Sequence, residues 1–396
     1  MRWNLRNVFV TTAIILGLTF VLLNVVSYAA LVSVFHVNVY GKSYEAYRRS
    51  ALLDNSQGTL PHPYFGKLEL YAQRFGSPLA TEPMFHRVDR LGGQDEIVVL
   101  LLGGSVAEQM SSYRTASGHG LFAARLNARF GTDRFAVYNA GMGGGKQPQQ
   151  YFKLVYLDLL GFKPDIVINY DGFNELALPL SENADLGNPA IFPRSYSAHL
   201  ESSSSAIRAC TETSNRLVES NSGVPIVELI AVVYAERCRG RILRPIAPSW
   251  WLAYLPREDT ADLAQRSREI WQESSNRLFE FTRARGIDYL HVLQPNQYLP
   301  GGKILSEQER REFTSRPRYG EHTRLHYAAF SRAGVTATHF RDQRYLFKDN
   351  AETLYSDSCC HFNEKGVQYL ADDITSAFHD VFAARLRRGR PGVAAR

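Results

Sequence analysis

Ser105 follows Gly103-Gly104 directly after the apolar run Ile97–Leu102, IVVLLL. A serine on a tight glycine turn is exposed, and a neighbouring base that takes its proton makes it a nucleophile. A base of the right type stands near the C-terminus, in Asp357-Ser358-Cys359-Cys360-His361-Phe362-Asn363-Glu364-Lys365-Gly366. Histidine beside a carboxylate is the arrangement for general-base work on a hydroxyl. Two further clusters supply hydrogen-bond donors for a developing oxyanion. Asn139-Ala140-Gly141-Met142-Gly143-Gly144-Gly145-Lys146 offers backbone N–H groups, and Asp171-Gly172-Phe173-Asn174-Glu175 offers the Asn174 amide. Each cluster alone reads equally as a polar turn. Together they hold the residue types that activating a serine and receiving an oxyanion would need.

Other chemistries fit less well. GGSVA departs from the G-x-S-x-G elbow because Ala107 replaces the last glycine. A phosphate loop needs glycine at Ala140 and Ser or Thr at Gln147, and the dinucleotide fingerprint fails at Lys146. A zinc site from Asp357, Cys359, Cys360 and His361 lacks the spacer between paired cysteines. No cofactor and no metal is therefore expected. His62, between prolines, and His291, inside a strand pattern, read as structural, whereas Gln294 and Asn296 follow a strand end and are candidates to line a cleft.

The elements that must position these residues alternate. Besides Ile97–Leu102, strand patterns cover Phe135–Ala140, Asp165–Tyr170, Ile287–Leu293 and Val335–Phe340. Amphipathic helical patterns lie between them at Gly120–Arg129, Gln149–Leu160 and Thr260–Arg285, and another runs to about Ala384. Strands separated by helices predict a parallel α/β sheet, which builds its sites at the C-terminal edge of the strands. Residues 176–256 form one long connection rich in Ser and Asn, too long for a structureless loop, and are expected to be an inserted lid or subdomain.

The order of the four clusters resembles the SGNH (GDSL-type) hydrolase superfamily. Ser105 stands in its first block, and Asn139–Gly144 resembles the second. Gly172-Phe173-Asn174-Glu175 resembles the third with Glu for the final Asp, and His361 with Asn363 and Gly366 resembles the fourth. Pro61–Gly66 and Gln294-Pro295-Asn296 also look like segments of bacterial members. The resemblance implies a three-layer α/β/α fold around a five-stranded parallel sheet in flavodoxin-like order. It implies Ser105 as nucleophile, His361 as base, and an oxyanion hole of Ser105, Gly144 and Asn174, with Gly143 and Gly141 as alternatives to Gly144. The family acid lies three residues before the histidine, where this chain has Ser358. Either Asp357 reaches the ring through a bulged loop, or a backbone carbonyl orients His361.

The chain ends carry a different message. The chain has 396 residues, and Asn7–Phe35 contains no charged residue, long enough for a membrane-spanning helix. A secretory signal with a loose cleavage site at Ser27–Ala30 competes, but its apolar core would be shorter. An uncleaved signal-anchor is the preferred reading. Arg2 and Arg6 place the short tip in the cytoplasm, against the weaker pull of Lys42, Arg48 and Arg49. The body would then be extracytoplasmic, in the periplasm of a Gram-negative host. Of the net charge of +6, five arginines belong to residues 385–396; without them and without Arg2 and Arg6 the body is at −1. A neutral body has no stripe of cations for phosphate contacts, so no nucleic-acid partner is expected. Cys210 and Cys238 are candidates for a disulfide, and Cys359 and Cys360 are adjacent.

The expected organisation is a tip (1–6), an anchor (7–35), a juxtamembrane linker (36–60), a hydrolase-like domain (61–384) holding the 176–256 insertion, and a basic tail (385–396). The expected activity is hydrolysis of an acyl, for instance acetyl, ester of an envelope carbohydrate or lipid through an acyl-Ser105 intermediate. Two alternatives share the fold. One is an O-acyltransferase that uses an extracellular polysaccharide hydroxyl in place of water, and the other is a non-catalytic anchored binding or assembly factor.

Overall fold

The uncharged stretch near the N-terminus folds as one helix, α1 (Leu5–Ser33). Its apolar portion, Val8–Ser33, has 26 residues. At about 1.5 Å per residue that is roughly 39 Å, longer than a hydrocarbon core of about 30 Å. The computed structural model describes residues 5–40, 59–62, 64–69, 84–93, 95–185, 188–194, 196, 210, 213, 216–217, 222–242, 259–313 and 317–387. Arg2, Lys42, Arg48 and Arg49, most of the 36–60 linker, much of the 176–256 insertion and the tail beyond 387 lie outside the described residues. Two units make up the chain, Met1–Gln57 with Ser197–Ile246, and Gly58–Tyr196 with Ala247–Arg396.

The second unit opens with a hairpin of β1 (Thr59–His62) and β2 (Gly66–Glu69). His62 stacks on Phe65 with ring centroids 4.0 Å apart. Burial, with Lys153 nearby, lowers its pKa, as suits a packed ring. The main sheet holds β3 (Arg87–Asp89), β4 (Ile97–Gly103), β5 (Phe135–Asn139), β6 (Ile166–Asp171), β7 (Asp288–Leu293) and β8 (Phe340–Asp342). Its order is β3-β5-β4-β6-β7-β8. The five parallel strands have the expected flavodoxin-like order, but the sheet has six strands rather than five. The extra one, β3, pairs antiparallel with β5, Val88 opposite Tyr138. Three residues with an Arg87–Asp89 ion pair carry no apolar run to announce a strand, and a short charged edge is a common way to end a sheet.

The last strand also differs from the sequence reading. Val335–Phe340 is mostly loop, and β8 begins only at Phe340. Gly334 adopts φ +81°, and the Thr336 N–H and hydroxyl both donate to the Asn276 Oδ1, at 2.7 and 3.0 Å. Those bonds tie the segment to a helix before it can join β7.

Helices cover both faces of this sheet. After β4 come α2 (Ser105–Gln109) and α3 (Leu121–Phe130), then α4 (Gln149–Leu159) after β5 and α5 (Phe173–Leu178) after β6. A helix of the other unit follows, α6 (Pro225–Ile242). The sheet unit resumes with α7 (Thr260–Ala284), α8 (Glu307–Phe313), α9 (Pro317–His326) and α10 (Glu364–Arg387). Val99 and Leu101 pack with Leu126, Leu370 and Phe378 of α3 and α10. Leu100 and Leu102 face the other way, in the core shared with Leu154, Trp271 and Leu278 of α4 and α7. A strand buried on both faces has no polar side to show, which is why β4 reads as an unbroken apolar run.

In the first unit, α6 packs along α1, and Ile226 N–H donates to the Asn24 side chain at 3.3 Å. Cys210 and Cys238 form a disulfide. Glu228 is fully buried and accepts from Ser222 Oγ (2.9 Å) and Gly223 N–H (3.1 Å), which closes the start of α6.

Candidate active site

β4, β5, β6 and β7 end along one edge of the sheet, and the loops that leave them carry the polar clusters. Ser105 is the first residue of α2, immediately beyond β4. Gly104 before it allows close approach, because a Cβ there would stand 2.3 Å from Asn174 Nδ2. That contact brings the β6 loop against the serine turn. The Asn174 amide donates to Gly145 O at 2.8 Å and so also fastens the glycine loop after β5. Gly144 in that loop adopts φ +74°, and a Cβ on it would meet Arg194 Cδ at 2.4 Å.

His361 Nε2 lies 2.7 Å from Ser105 Oγ, and its Nδ1 lies 2.5 Å from Asp357 Oδ2. The four-residue spacing closes because the turn is tight. Asp357 Oδ1 accepts from the N–H groups of Cys359, Cys360 and His361 at 2.8, 3.2 and 3.2 Å. Ser358 turns into the interior, where its carbonyl accepts from Tyr298 Oη, and Asp357 O accepts from Gln297 Nε2 at 3.1 Å. The electrostatics follow the geometry. Burial alone would raise Asp357, but the His361 ring and the amides hold its carboxyl down at about 2. Burial would lower His361, and Asp357 outweighs it, so the imidazole pKa is raised. An anionic acid behind a basic imidazole behind a hydroxyl has the parts of a serine nucleophile.

The loops rest on a buried polar layer. Glu175 Oε2 accepts from Gly172 N–H at 2.8 Å, and Oε1 accepts from Gln147 N–H at 2.9 Å and from Gln150 Nε2 at 3.3 Å. One carboxyl thus joins the β6 loop to the β5 loop. Burial, with Asp171 close by, pushes it up to about 8, and burial brings Lys146 down to about 7. Below this layer Asp171 accepts from Trp271 Nε1 and faces His291 Nε2, both at 2.8 Å, and accepts from Asn169 Nδ2 at 2.7 Å and Gln147 Nε2 at 3.1 Å. His291 is therefore a core residue bonded on both nitrogens, its Nδ1 to Ser275 Oγ at 2.7 Å.

Of the residues read from the sequence, Ser105, His361 and Asp357 come together, with Gly144 and Asn174 beside the serine turn. Gln294 and Asn296 are buried, 4% and 1% exposed, and neither bonds to the three. Asn296 instead accepts from Tyr298 N–H at 2.8 Å. Gln297, one residue on, is the one that reaches Asp357. Nothing in the sequence pointed to Arg194, which grips Glu182 at 2.5 and 2.9 Å while Tyr319 donates to the same carboxylate. The glycine run was a signal of sorts, since a residue at +74° with no side chain leaves room for something large.

No family model matches the chain, and no curated protein does. Among solved structures it is similar to a GDSL-like lipase from Bacteroides thetaiotaomicron, at 12% identity over 72% of this chain and 90% of the other, with a TM-score of 0.31. A lipase/acylhydrolase from Enterococcus faecalis matches at 13% identity over 73% and 96%, TM-score 0.29. An alpha/beta hydrolase enzyme from the metagenome of Lake Arreo, Spain, matches at 16% identity over 73% and 95%, TM-score 0.32. Likeness at that level identifies no activity, so the functional reading rests on the geometry of the chain's own residues.

Proposed function

We propose that the protein is a serine esterase that cleaves an acyl ester through an acyl-Ser105 intermediate. The observation that carries this reading is the continuous chain Ser105 Oγ–His361–Asp357, with contacts of 2.7 and 2.5 Å. In the first half-reaction His361 Nε2 takes the hydroxyl proton while Ser105 Oγ attacks the ester carbonyl. The oxyanion is received by the N–H groups of Ser105 and Gly144 and by the second hydrogen of the Asn174 amide. His361 then protonates the departing alkoxide, and the ester C–O bond breaks. In the second half, water gives a proton to His361 and attacks the acyl carbon, and His361 returns that proton to Ser105 Oγ as the acyl–serine bond breaks and the acid leaves. Asp357 keeps Nδ1 protonated and stabilises the imidazolium in both halves.

The proposed substrate is an ester of an envelope carbohydrate or lipid. Its support is the apolar α1, long enough to anchor the chain, and Arg2 and Arg6 on the N-terminal side of the apolar portion Val8–Ser33, which favour a cytoplasmic tip and an extracytoplasmic body. The unusual acid spacing is the single feature favouring a non-catalytic factor, and the Asp357–His361 contact of 2.5 Å supports the catalytic reading over it. A fluorophosphonate probe tests the chemistry: it should label the wild type and spare Ser105→Ala. Absence of labelling where known serine esterases react would end the proposal. With an acetyl ester and an oligosaccharide present together, free acetate should form faster than acetylated sugar, and the reverse would make the protein an acyltransferase.

A further inference from the structure

Two residues of the site loop have no part in that mechanism. Cys359 and Cys360 are free thiols whose Sγ atoms stand 3.4 Å apart. Cys360 is buried at 1% exposure, and Cys359 is half-buried. The peptide that joins them holds the site together, since the amides of Cys359, Cys360 and His361 all donate to Asp357 Oδ1. The two thiols differ. The hydrogen bond with Cys360 and the nearby His361 ring pull Cys359 below the usual thiol range, against burial. Burial pushes Cys360 well above it. Placed 3.4 Å apart with Cys359 the more exposed, one sulfur is set to attack and the other to resolve behind it.

We propose that Cys359 and Cys360 are a redox-active dithiol site for oxidants of the disulfide class, and that its oxidation takes the Ser105–His361–Asp357 arrangement apart. Cys359 thiolate attacks one sulfur of a disulfide RS–SR, forms a mixed disulfide and expels one thiolate. Cys360 loses its proton, attacks Cys359 Sγ and expels the second. Two protein thiols lose two electrons and two protons, and the oxidant becomes two RSH. Neighbouring Cα atoms are about 3.8 Å apart across a trans peptide, whereas disulfides span about 4.4–6.8 Å. The usual disulfide geometry does not fit adjacent residues, so the small ring closes only with strain in the Cys359–Cys360 backbone, and on this proposal that strain draws the Cys360 N–H away from Asp357. A strained bond of this kind is readily reduced, so the change is reversible. The Cys210–Cys238 disulfide shows a chain suited to a compartment where such oxidants circulate.

The effect on labelling rests on the esterase reading; the dithiol chemistry does not. Full-length protein in detergent would be equilibrated in reduced and oxidised glutathione mixtures, its thiols alkylated and its peptides weighed, while fluorophosphonate labelling of Ser105 is timed in parallel. The expected result is loss of two hydrogens from the peptide holding Cys359 and Cys360. Labelling should slow on the order of 10²-fold, as for a misplaced catalytic group, and recover on reduction. Cys359→Ser should label at one rate across the series. Two free thiols at the oxidising end would overturn the dithiol site. A closed bond with unchanged labelling, or equal slowing in Cys359→Ser, would overturn the coupling. If reduced wild type is not labelled at all, the esterase reading fails, and the peptide masses still decide the dithiol.

Discussion

Replacing Asp357 by Asn keeps shape and removes one charge, so its effect can be worked from the contacts. Asp357 Oδ1 now receives three backbone N–H groups and Oδ2 receives the imidazole. In the Asp357→Asn variant only one side-chain oxygen remains, and either the three amides or the ring must take it. Three hydrogen bonds at about 1 kcal/mol each favour the amides by roughly 3 kcal/mol, a bias of about 10². The new carboxamide NH₂ then faces His361 Nδ1, which must accept, so the ring proton moves to Nε2, where it cannot take one from Ser105. The imidazolium of the transition state also loses its anionic partner. The two losses together should lower kcat by on the order of 10⁴, about 5.5 kcal/mol. Because Asp357 raises His361 against its burial, the acid limb of the rate profile should also move to lower pH in the variant. The assay is kcat/KM for a short-chain aryl ester from acid to mildly alkaline pH. A variant within about tenfold of wild type, with its acid limb unmoved, would refute the role of Asp357.

Asn174→Ala should reduce kcat by about 10²–10³ with little change in KM, as for loss of one oxyanion donor; esterase kinetics on the purified protein checks it. Gly144→Ala should also slow the reaction, since a Cβ at φ +74° is strained and meets Arg194; a Gly144→Ala, Arg194→Ala double variant should recover the steric part of the loss. Glu175 binds protons more tightly folded, at about 8, than its ordinary 4.5. Folding stability should therefore fall as pH rises from 4.5 toward 8, and Glu175→Gln should flatten that slope in denaturant titrations at the two ends. Asp357 has the opposite sign: its folded value of about 2 lies below the ordinary 3.8, so its stabilisation holds above 3.8 and is lost as pH falls toward 2. The thermal midpoints of wild type and Asp357→Asn should accordingly converge in acid.

Ser105 and His361 were legible because each stands in a cluster beside a strand end or a helix start, and the order of clusters constrains them jointly. The parallel strands were legible for the same reason as β4, whose burial on both faces writes itself as IVVLLL. Asp357 was not decidable from spacing, since whether its oxygen reaches the ring depends on three amides folding onto one atom. Glu175 showed only as a departure from a motif; its grip on Gln147, in another loop, has no trace in local sequence. The 176–256 stretch reads as one insertion because of its length, and what it folds into was not legible: α5 ends just inside it, and α6 packs along α1. Its Pro225 at the first helical position, ahead of an apolar run, was the available signal.

Ser105 and His361 touch across 256 residues of chain. Between them come four strands and the whole of the other unit's second segment, and beyond His361 α10 seats the loop. A ribosome therefore delivers the nucleophile early and its partner late. Reactivity at Ser105 would then report on completion: a chain cut short before Asp357 carries every strand from β4 to β8 and still presents a hydroxyl without its base.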